Sequence, residues 1–312
     1  MSALALGSDE SDESDCDLFP TIDAAACAES SDDDVARAPK PRPRRAGAPV
    51  ARVDACALTP EAFAASYAAP RVPVVLTGAA AGVAHMDADW WASNFGGMTV
   101  PLDVNSSDAV TANFGAFLRG ETERSRYLRN LHLDDWFPGA SAGVALPAVL
   151  GTSLLADDGR VPPAWRKWFE LFICREECSG FPFLHRDVCR THAYSLQIQG
   201  SKRFVVFPPT DEQYLYVSAN RSTIPDVDAD DVLENFPLLR LASPAAVVIG
   251  PGDCLFVPDG WWHVAKCASP DAPSITLGGN YATDDNRDRF FDAFADFQAL
   301  KSLQAVGAAT MR

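Results

Sequence analysis

The sequence predicts a mainly β domain made of two sheets, with helices on either side of the strand-rich stretch. Short apolar or alternating runs, separated by turn signals, follow one another from residue 169 to residue 281. Such closely spaced short strands are typical of all-β sandwiches and barrels. The chain has 312 residues, and one double-sheet domain of about 250 residues is within the usual size of such folds.

Helical signals flank the predicted strands. A short helix is expected at residues 59–67, because Thr59 is a good N-cap and a proline follows it. The aromatic clusters at residues 90–91 and 114–118 suggest two more helices, whose rings we expect in the core. Residues 290–303 show helical spacing with one aromatic stripe. Packing of that stripe against the sheets is favoured over dimerisation.

Three residues with metal-binding side chains stand in the predicted strands. His185 and Asp187 are separated by one residue, so in an extended strand both side chains point to the same side. His263 lies on a later strand, after a turn of proline, aspartate and glycine. Two imidazoles and one carboxylate are the ligands that hold ferrous iron in oxygenases. This set favours a metal site over buried histidines that are satisfied by hydrogen bonds.

Two further predicted strands, residues 194–199 and 202–207, are joined by Gly200 and Ser201. Glycine supplies the positive φ that a two-residue hairpin loop needs, so the sequence predicts a β-hairpin. In that hairpin Lys202 would face Gln199 and share one side of the sheet with Ser195. A lysine there is suited to receive an anion. Without the metal motif, an ordinary exposed charge would be preferred.

The stretch from Trp168 to Ala282 closely resembles the Jumonji-C or cupin-like oxygenases, which use iron(II) and 2-oxoglutarate. The resemblance is carried by His-Arg-Asp at residues 185–187, Gln-Gly-Ser-Lys-Arg-Phe at 199–204 and Gly-Trp-Trp-His at 260–263. Weaker similarity extends it to roughly residues 53–298. It implies a double-stranded β-helix, which is the jelly-roll or cupin barrel.

The resemblance also implies roles for individual residues. His185, Asp187 and His263 would be the metal ligands and the catalytic residues, and Lys202 would pair with the distal carboxylate of 2-oxoglutarate. Further cosubstrate contacts are implied at positions where relatives carry hydrogen-bonding side chains: Tyr127, Thr191, Ser195, Thr276 and Asn280.

Two positions depart from the pattern of the family. Pro182 stands where many relatives have a threonine or serine that contacts 2-oxoglutarate. Gly278 stands where relatives often carry a threonine, and Thr276 takes that role only if the alignment contains a gap.

The implied activity is that of a dioxygenase that uses iron(II), 2-oxoglutarate and dioxygen and releases succinate and carbon dioxide. A protein side chain is the expected hydroxylation target, because no chromatin-reader module is apparent. The alternatives are an N-methyl lysine or arginine (histone) demethylase, a hydroxylase of a modified tRNA base, a cupin metalloenzyme that does not use 2-oxoglutarate, and a catalytically silent binding module.

Charge is distributed unevenly along the chain, whose formal net charge is −16. Residues 1–36 contain eleven acidic residues and no basic ones, whereas residues 37–52 contain six basic residues and no acidic ones. An acidic protein is poorly suited to broad contact with phosphate backbones, so a nucleic-acid partner is not expected.

Composition predicts three segments: a disordered acidic and then basic tail at residues 1–52, the oxygenase domain at 53–298, and a C-terminal tail at 299–312. A kinase site in the acidic part and a nuclear import signal at residues 40–45 are open alternatives to plain solvated charge. Neither a secretory signal nor a run of 18 apolar residues is present. A membrane partner is therefore not expected, and the expected location is the nucleus or the cytoplasm.

The eight cysteines are irregularly spaced. Cys174 and Cys178 lack the second matched pair that a zinc site needs, so reduced thiols are the better interpretation. If the strand of Asp187 continues, Cys189 shares its side of the sheet and lies near the iron. A redox-sensing role for Cys189 is the minor alternative.

Overall fold

The structure, a computed structural model, describes residues 47–104 and 106–310. The acidic stretch and the basic run of the predicted tail, up to residue 46, lie outside the described residues. Of the described residues, 47–299 belong to one compact unit, and the predicted segment boundaries stay predictions.

The described residues form fifteen strands and seven α-helices. The strands are β1 (Ala51–Asp54), β2 (Val74–Thr77), β3 (Thr99–Leu102), β4 (Val110–Asn113), β5 (Leu128–His132), β6 (Glu170–Cys174), β7 (His185–Arg186), β8 (His192–Gln199), β9 (Lys202–Phe207), β10 (Val217–Ser218), β11 (Arg221–Ser222), β12 (Ala245–Ile249), β13 (Cys254–Val257), β14 (Trp262–Cys267) and β15 (Ser274–Tyr281). The helices are α1 (Pro60–Phe63), α2 (Ala88–Phe95), α3 (Phe114–Arg119), α4 (Leu133–Trp136), α5 (Pro163–Arg166), α6 (Val232–Asn235) and α7 (Arg287–Thr310).

Two sheets make up the jelly roll. The larger has seven strands in the order β1-β2-β13-β8-β15-β6-β5, and the smaller has six in the order β10-β11-β7-β14-β9-β12. Neighbours are antiparallel except for β1 and β2, which are parallel. Among the described strands none pairs across the two sheets, so the jelly roll is two opposed sheets and not one closed barrel. The predicted mainly β, jelly-roll fold is confirmed.

Side chains alternate between the space between the sheets and their outer surfaces, as the period of two in a strand requires. Phe204 and Val206 pack between the sheets with Val75 and Leu255, whereas Val205 and Phe207 belong to a second cluster on the outer face of the six-stranded sheet. The outer face of the seven-stranded sheet is covered by the largest cluster. Strands inside the sheets, such as β13, are therefore buried on both faces, whereas the edge strand β12 keeps one face exposed at Val248.

The predicted hairpin between residues 194–199 and 202–207 is wrong. Both strands exist as β8 and β9, but β8 pairs with β13 and β15 in the seven-stranded sheet. Strand β9 pairs with β12 and β14 in the six-stranded sheet. Gly200, with φ of +64°, therefore turns the chain from one sheet into the other. The expected positive φ is present, and only the pairing differs.

The predicted helices are present. Thr59 caps α1, since its hydroxyl accepts a hydrogen bond from the Ala62 amide at 3.2 Å. The aromatic rings of α2 and α3 lie in the largest core cluster. In α7, Phe290 and Phe294 are buried against Trp165, which agrees with packing as the role of this stripe. In the part of the chain that the structure describes, no helix is both long and apolar enough to cross a bilayer.

The expectation that Cys189 lies beside the metal ligands is wrong. Strand β7 ends at Arg186, and residues 188–190 form a short helical turn in which Cys189 has φ of +50°. Its side chain packs with Trp165 and Phe290. Burial raises the pKa of Cys189 to about 12, which argues against a reactive thiolate there.

Candidate active site

One cavity between the sheets contains most of the predicted site residues. Of the predicted residues it is lined by Tyr127, His185, Asp187, Ser195, Lys202, His263, Thr276 and Asn280. Thr191 is the exception and does not line it. The cavity has two chemically different ends, which we call the triad end (His185, Asp187 and His263) and the lysine end (Lys202 and Tyr127).

The triad end is assembled by strand pairing within the six-stranded sheet. Strands β7 and β14 are neighbours, and His185 lies directly opposite His263. The two imidazole centres are 4.3 Å apart, and the Asp187 carboxylate lies 3.7 Å from Nε2 of His263. One ligand atom from each of the three residues lies within 4.8 Å of the others, so the three are within reach of one cation.

The surroundings of His185 suit a metal-binding imidazole. Burial, together with the nearby His263, lowers the pKa of His185 well below its usual value, so the neutral form that binds metals predominates. Its Nδ1 lies 3.3 Å from the Phe183 carbonyl, which leaves Nε2 as the nitrogen with a free lone pair. Phe181 stacks on the ring at 4.5 Å and limits its rotation. The donor set fits iron(II), for which two histidines and one carboxylate on a single face are typical.

Lys202 defines the opposite end of the cavity. It is 2% exposed, and its ammonium donates a hydrogen bond to the Tyr127 hydroxyl at 3.2 Å. The ammonium also lies 5.2 Å from the centre of the Phe172 ring. Within the described residues no carboxylate pairs with it. Burial lowers the pKa of Lys202, because a charged amine is poorly solvated there. An anion in the cavity would offset this cost.

A chain of hydrogen bonds holds Thr276, which lines the cavity. The Thr276 hydroxyl donates to the Gln197 side-chain carbonyl at 2.9 Å, and the Gln197 amide donates to Ser274 at 3.0 Å. Gly278 lies against Phe172, where an added Cβ would stand 3.0 Å from the ring. A threonine at residue 278 would therefore displace Phe172, whereas Thr276 already lines the cavity.

Thr191 contacts the cavity through another residue. It is buried, its hydroxyl donates to the Val188 carbonyl at 2.9 Å, and it accepts a hydrogen bond from the Asn280 amide at 2.8 Å. Asn280 lines the cavity. Thr191 therefore orients Asn280, and the short turn at residues 188–190 keeps its own side chain out of the cavity.

Glu170 is a cavity residue that the sequence interpretation missed. Its carboxylate accepts hydrogen bonds from Trp168 at 3.1 Å and from Asn130 at 3.0 Å, and burial raises its pKa. An acidic residue at the start of the apolar run 170–174 was the available signal, since residues 170, 172 and 174 must share one side of the strand.

Comparison with known proteins gives a family and several relatives. The cupin-like domain family matches residues 102–286, more than half of the chain. The chain is 30% identical to tRNA wybutosine-synthesizing protein 5 of Gallus gallus over 177 residues, which is 56% of this chain and 52% of the relative. For the Homo sapiens protein of that name the values are 31% over 185 residues, 59% and 55%. HSPB1-associated protein 1 of Homo sapiens is 41% identical over 86 residues, 25% of this chain and 17% of the relative. The chain spans about half the length of the first-named relatives.

Proposed function

Because the chain belongs to the cupin-like domain family, we propose that it is an iron(II)- and 2-oxoglutarate-dependent dioxygenase. One observation supports this most strongly. A single cavity contains a converging set of two imidazoles and a carboxylate, and a buried lysine without a carboxylate partner in the described part of the chain.

In this proposal His185, Asp187 and His263 hold the iron and leave the remaining coordination positions open. When bound, iron(II) and 2-oxoglutarate supply the oxidation, in which dioxygen is consumed and succinate and carbon dioxide are released. The protein orients the target bond and limits the access of water. Phe181 and Phe183 surround His185 and exclude water from that side of the metal ligands.

Lys202 and Tyr127 are proposed to bind the distal carboxylate of 2-oxoglutarate. The Lys202 ammonium provides the charge and keeps two N–H donors beyond the one directed at Tyr127. Burial raises the pKa of Tyr127 well above its usual value, so the phenol stays protonated and adds no negative charge. Thr276, Ser195 and Asn280 are proposed to provide further polar contacts with the cosubstrate, with Thr191 holding Asn280.

The first candidate substrate is a nucleoside of tRNA. It is favoured by the first-named relatives, which are called tRNA wybutosine-synthesizing proteins. The net charge of −16 disfavours broad phosphate contact but leaves room for a local basic surface.

A protein side chain is the second candidate. The acidic composition suits a protein target better than a nucleic acid, and one relative is called HSPB1-associated protein 1. Demethylation is a variant of the same candidate, since hydroxylation of an N-methyl group leads to its loss. A nuclear or cytoplasmic location stays a prediction, and a homodimer stays the less favoured alternative.

The test is an incubation of the full chain with iron(II), 2-oxoglutarate and either bulk tRNA or a proteome extract. We expect succinate formation that requires iron, together with nucleosides or peptides that gain one oxygen in mass spectra. A loss of one methylene would instead indicate demethylation. Absence of iron-dependent succinate with every substrate pool would refute the dioxygenase, and product formation without 2-oxoglutarate would indicate a different cupin metalloenzyme.

A further inference from the structure

Three cysteines lie together beyond the lysine end of the cavity. Cys174 and Cys178 are buried beside Tyr127, and Cys267 packs against the same group. Cys174 is the last residue of β6 in the seven-stranded sheet, whereas Cys267 is the last residue of β14 in the six-stranded sheet. The thiol cluster therefore spans the two sheets at a point where no backbone pairing joins them in the described residues.

Cys174 and Cys267 are in direct contact but have different environments. The two thiols interact closely enough for each to shift the pKa of the other. The Cys267 sulfur also contacts the Ser269 backbone: it receives a hydrogen bond from the amide at 3.5 Å and lies 3.6 Å from the carbonyl oxygen. Cys267 is half-buried, whereas Cys174 is 0% exposed. A small oxidant from solvent therefore reaches Cys267 first, and Cys174 is the thiol next to it.

The charge state of Cys267 agrees with this geometry. The interaction with the Cys174 thiol is the main cause that lowers the pKa of Cys267 to about 6, and the Lys202 ammonium contributes to the same effect. The same interaction, together with burial, raises the pKa of Cys174 well above its usual value. Of the two cysteines, Cys267 is therefore the one that forms the thiolate more readily, and the thiolate is the nucleophilic form of cysteine.

Binding of a soft metal would be another use for three thiols. The geometry does not favour it, because in the part of the chain that the structure describes only His185, Asp187 and His263 bring three ligand atoms within 4.8 Å of one another. Cys178 also differs from the other two cysteines. Its sulfur receives a hydrogen bond from the Gly180 amide at 3.4 Å, and burial raises its pKa.

We propose that Cys174 and Cys267 are a peroxide-sensitive thiol pair that forms a disulfide across the two sheets. Hydrogen peroxide is the oxidant. The Cys267 thiolate attacks one peroxide oxygen, the O–O bond breaks, and the sulfur becomes a sulfenic acid while water leaves after taking up a proton. The Cys174 sulfur then attacks that of Cys267, so that the S–S bond forms, the S–O bond breaks and a second water leaves. In total two thiols lose two hydrogens and one peroxide becomes two waters.

The disulfide has a consequence for the cavity. It replaces the Cys267 thiolate, which lies close enough to Lys202 to interact electrostatically with it, by a neutral group. Oxidation would thus change the charge around the lysine end. This thiol pair does not depend on the proposed dioxygenase activity or on its substrate.

Peptide mapping of the oxidised full chain tests the proposal. Trypsin cleaves after Lys167, Arg175 and Lys266, so Cys174, Cys178 and Cys267 fall on three different peptides. After brief treatment with peroxide and alkylation of the remaining thiols, we expect peptide 168–175 linked to peptide 267–287. The linked species should be two hydrogens lighter than the sum of its parts and should disappear on reduction.

Cys178→Ala is the matched control, because it removes a neighbouring thiol from the same cluster and should leave the link intact. Cys174→Ala should abolish the link and leave a sulfenic acid on Cys267 that dimedone traps. A wild-type map in which Cys178 is the partner of Cys267, or in which Cys267 is oxidised without any link to Cys174, would overturn the proposal. Because this readout is chemical, its failure is separate from a failure to detect succinate.

Discussion

The triad end and the lysine end of the cavity are built in different ways. At the triad end His185 and His263 face each other on neighbouring strands of one sheet, so their proximity follows from backbone pairing. At the lysine end Lys202 belongs to the six-stranded sheet, and Tyr127 directly precedes β5 of the seven-stranded sheet. Their hydrogen bond therefore depends on how the sheets pack. The triad end thus depends on the local register of neighbouring strands, whereas the lysine end depends on how the two sheets pack together.

The two ends also differ in electrostatics. The triad end combines half-buried or buried imidazoles with a carboxylate, and a divalent cation would complete it. The lysine end is a positive charge enclosed by aromatic rings and thiols, and an anion would complete it. A ligand that bridges the two ends would have to bind a metal at one end and carry a negative charge at the other.

Loss of a ligand at the triad end should have the largest effect. Asp187→Asn keeps the shape of the side chain but removes its charge. Loss of a residue that only hydrogen-bonds to a metal ligand typically lowers activity by about 10- to 100-fold. Because Asp187 is itself a proposed ligand, we expect iron-dependent succinate formation to fall by more than about 100-fold. Asp284→Asn is the control, because that carboxylate is 85% exposed. Binding of cobalt(II) in the absence of dioxygen should be lost in parallel. Retained turnover in a folded Asp187→Asn variant would contradict the assignment of the triad end.

Removal of the charge at the lysine end should have the second-largest effect. It should weaken the binding of 2-oxoglutarate and leave metal binding unchanged. Lys202→Met keeps the length of the side chain, and we expect the KM for 2-oxoglutarate to rise by at least about 30-fold, because loss of one partner of a buried charge pair costs about 2 kcal/mol or more. Cobalt(II) binding should stay unchanged. Lys266→Met is the matched control, since Lys266 pairs with Asp226 on a more exposed surface. An unaltered KM would mean that the cosubstrate does not bind there.

The smallest expected effect is a pH dependence of stability without ligand. Burial lowers the pKa of Lys202 in the folded chain. At pH values between the pKa of Lys202 in the folded chain and its pKa in the unfolded chain, the unfolded chain therefore binds more protons than the folded chain. The stability of the native protein should therefore rise with pH in this range, relative to Lys202→Met. Urea unfolding of both proteins at several alkaline pH values measures this difference. A difference that does not change with pH would show that the ammonium is solvated in the folded state.

Much of the fold and of the candidate site could be predicted from local patterns. The His-x-Asp spacing predicted two side chains on one side of the sheet, and both line the cavity. The predicted hairpin placed Lys202 and Ser195 on one side of a single sheet. Both side chains line the cavity, but they reach it from different sheets, because β8 and β9 do not pair.

Other features could not be predicted locally. Cys189 was expected on the side of Asp187. The strand ends before Cys189, and the positive φ of this residue directs its side chain into the cluster that packs against α7. Glu170 was missed because its hydrogen-bond partners, Asn130 and Trp168, come from a different strand and from the segment before β6.

The sequence by itself determined the strands, the direction of their side chains and the set of metal-binding residue types, because a period of two and a turn residue are properties of a few neighbouring positions. Only the tertiary structure decided which strands are neighbours, that β8 and β9 belong to opposite sheets, and that Cys174 meets Cys267. Those outcomes depend on burying the faces of both sheets at once, and this balance involves residues far apart along the chain.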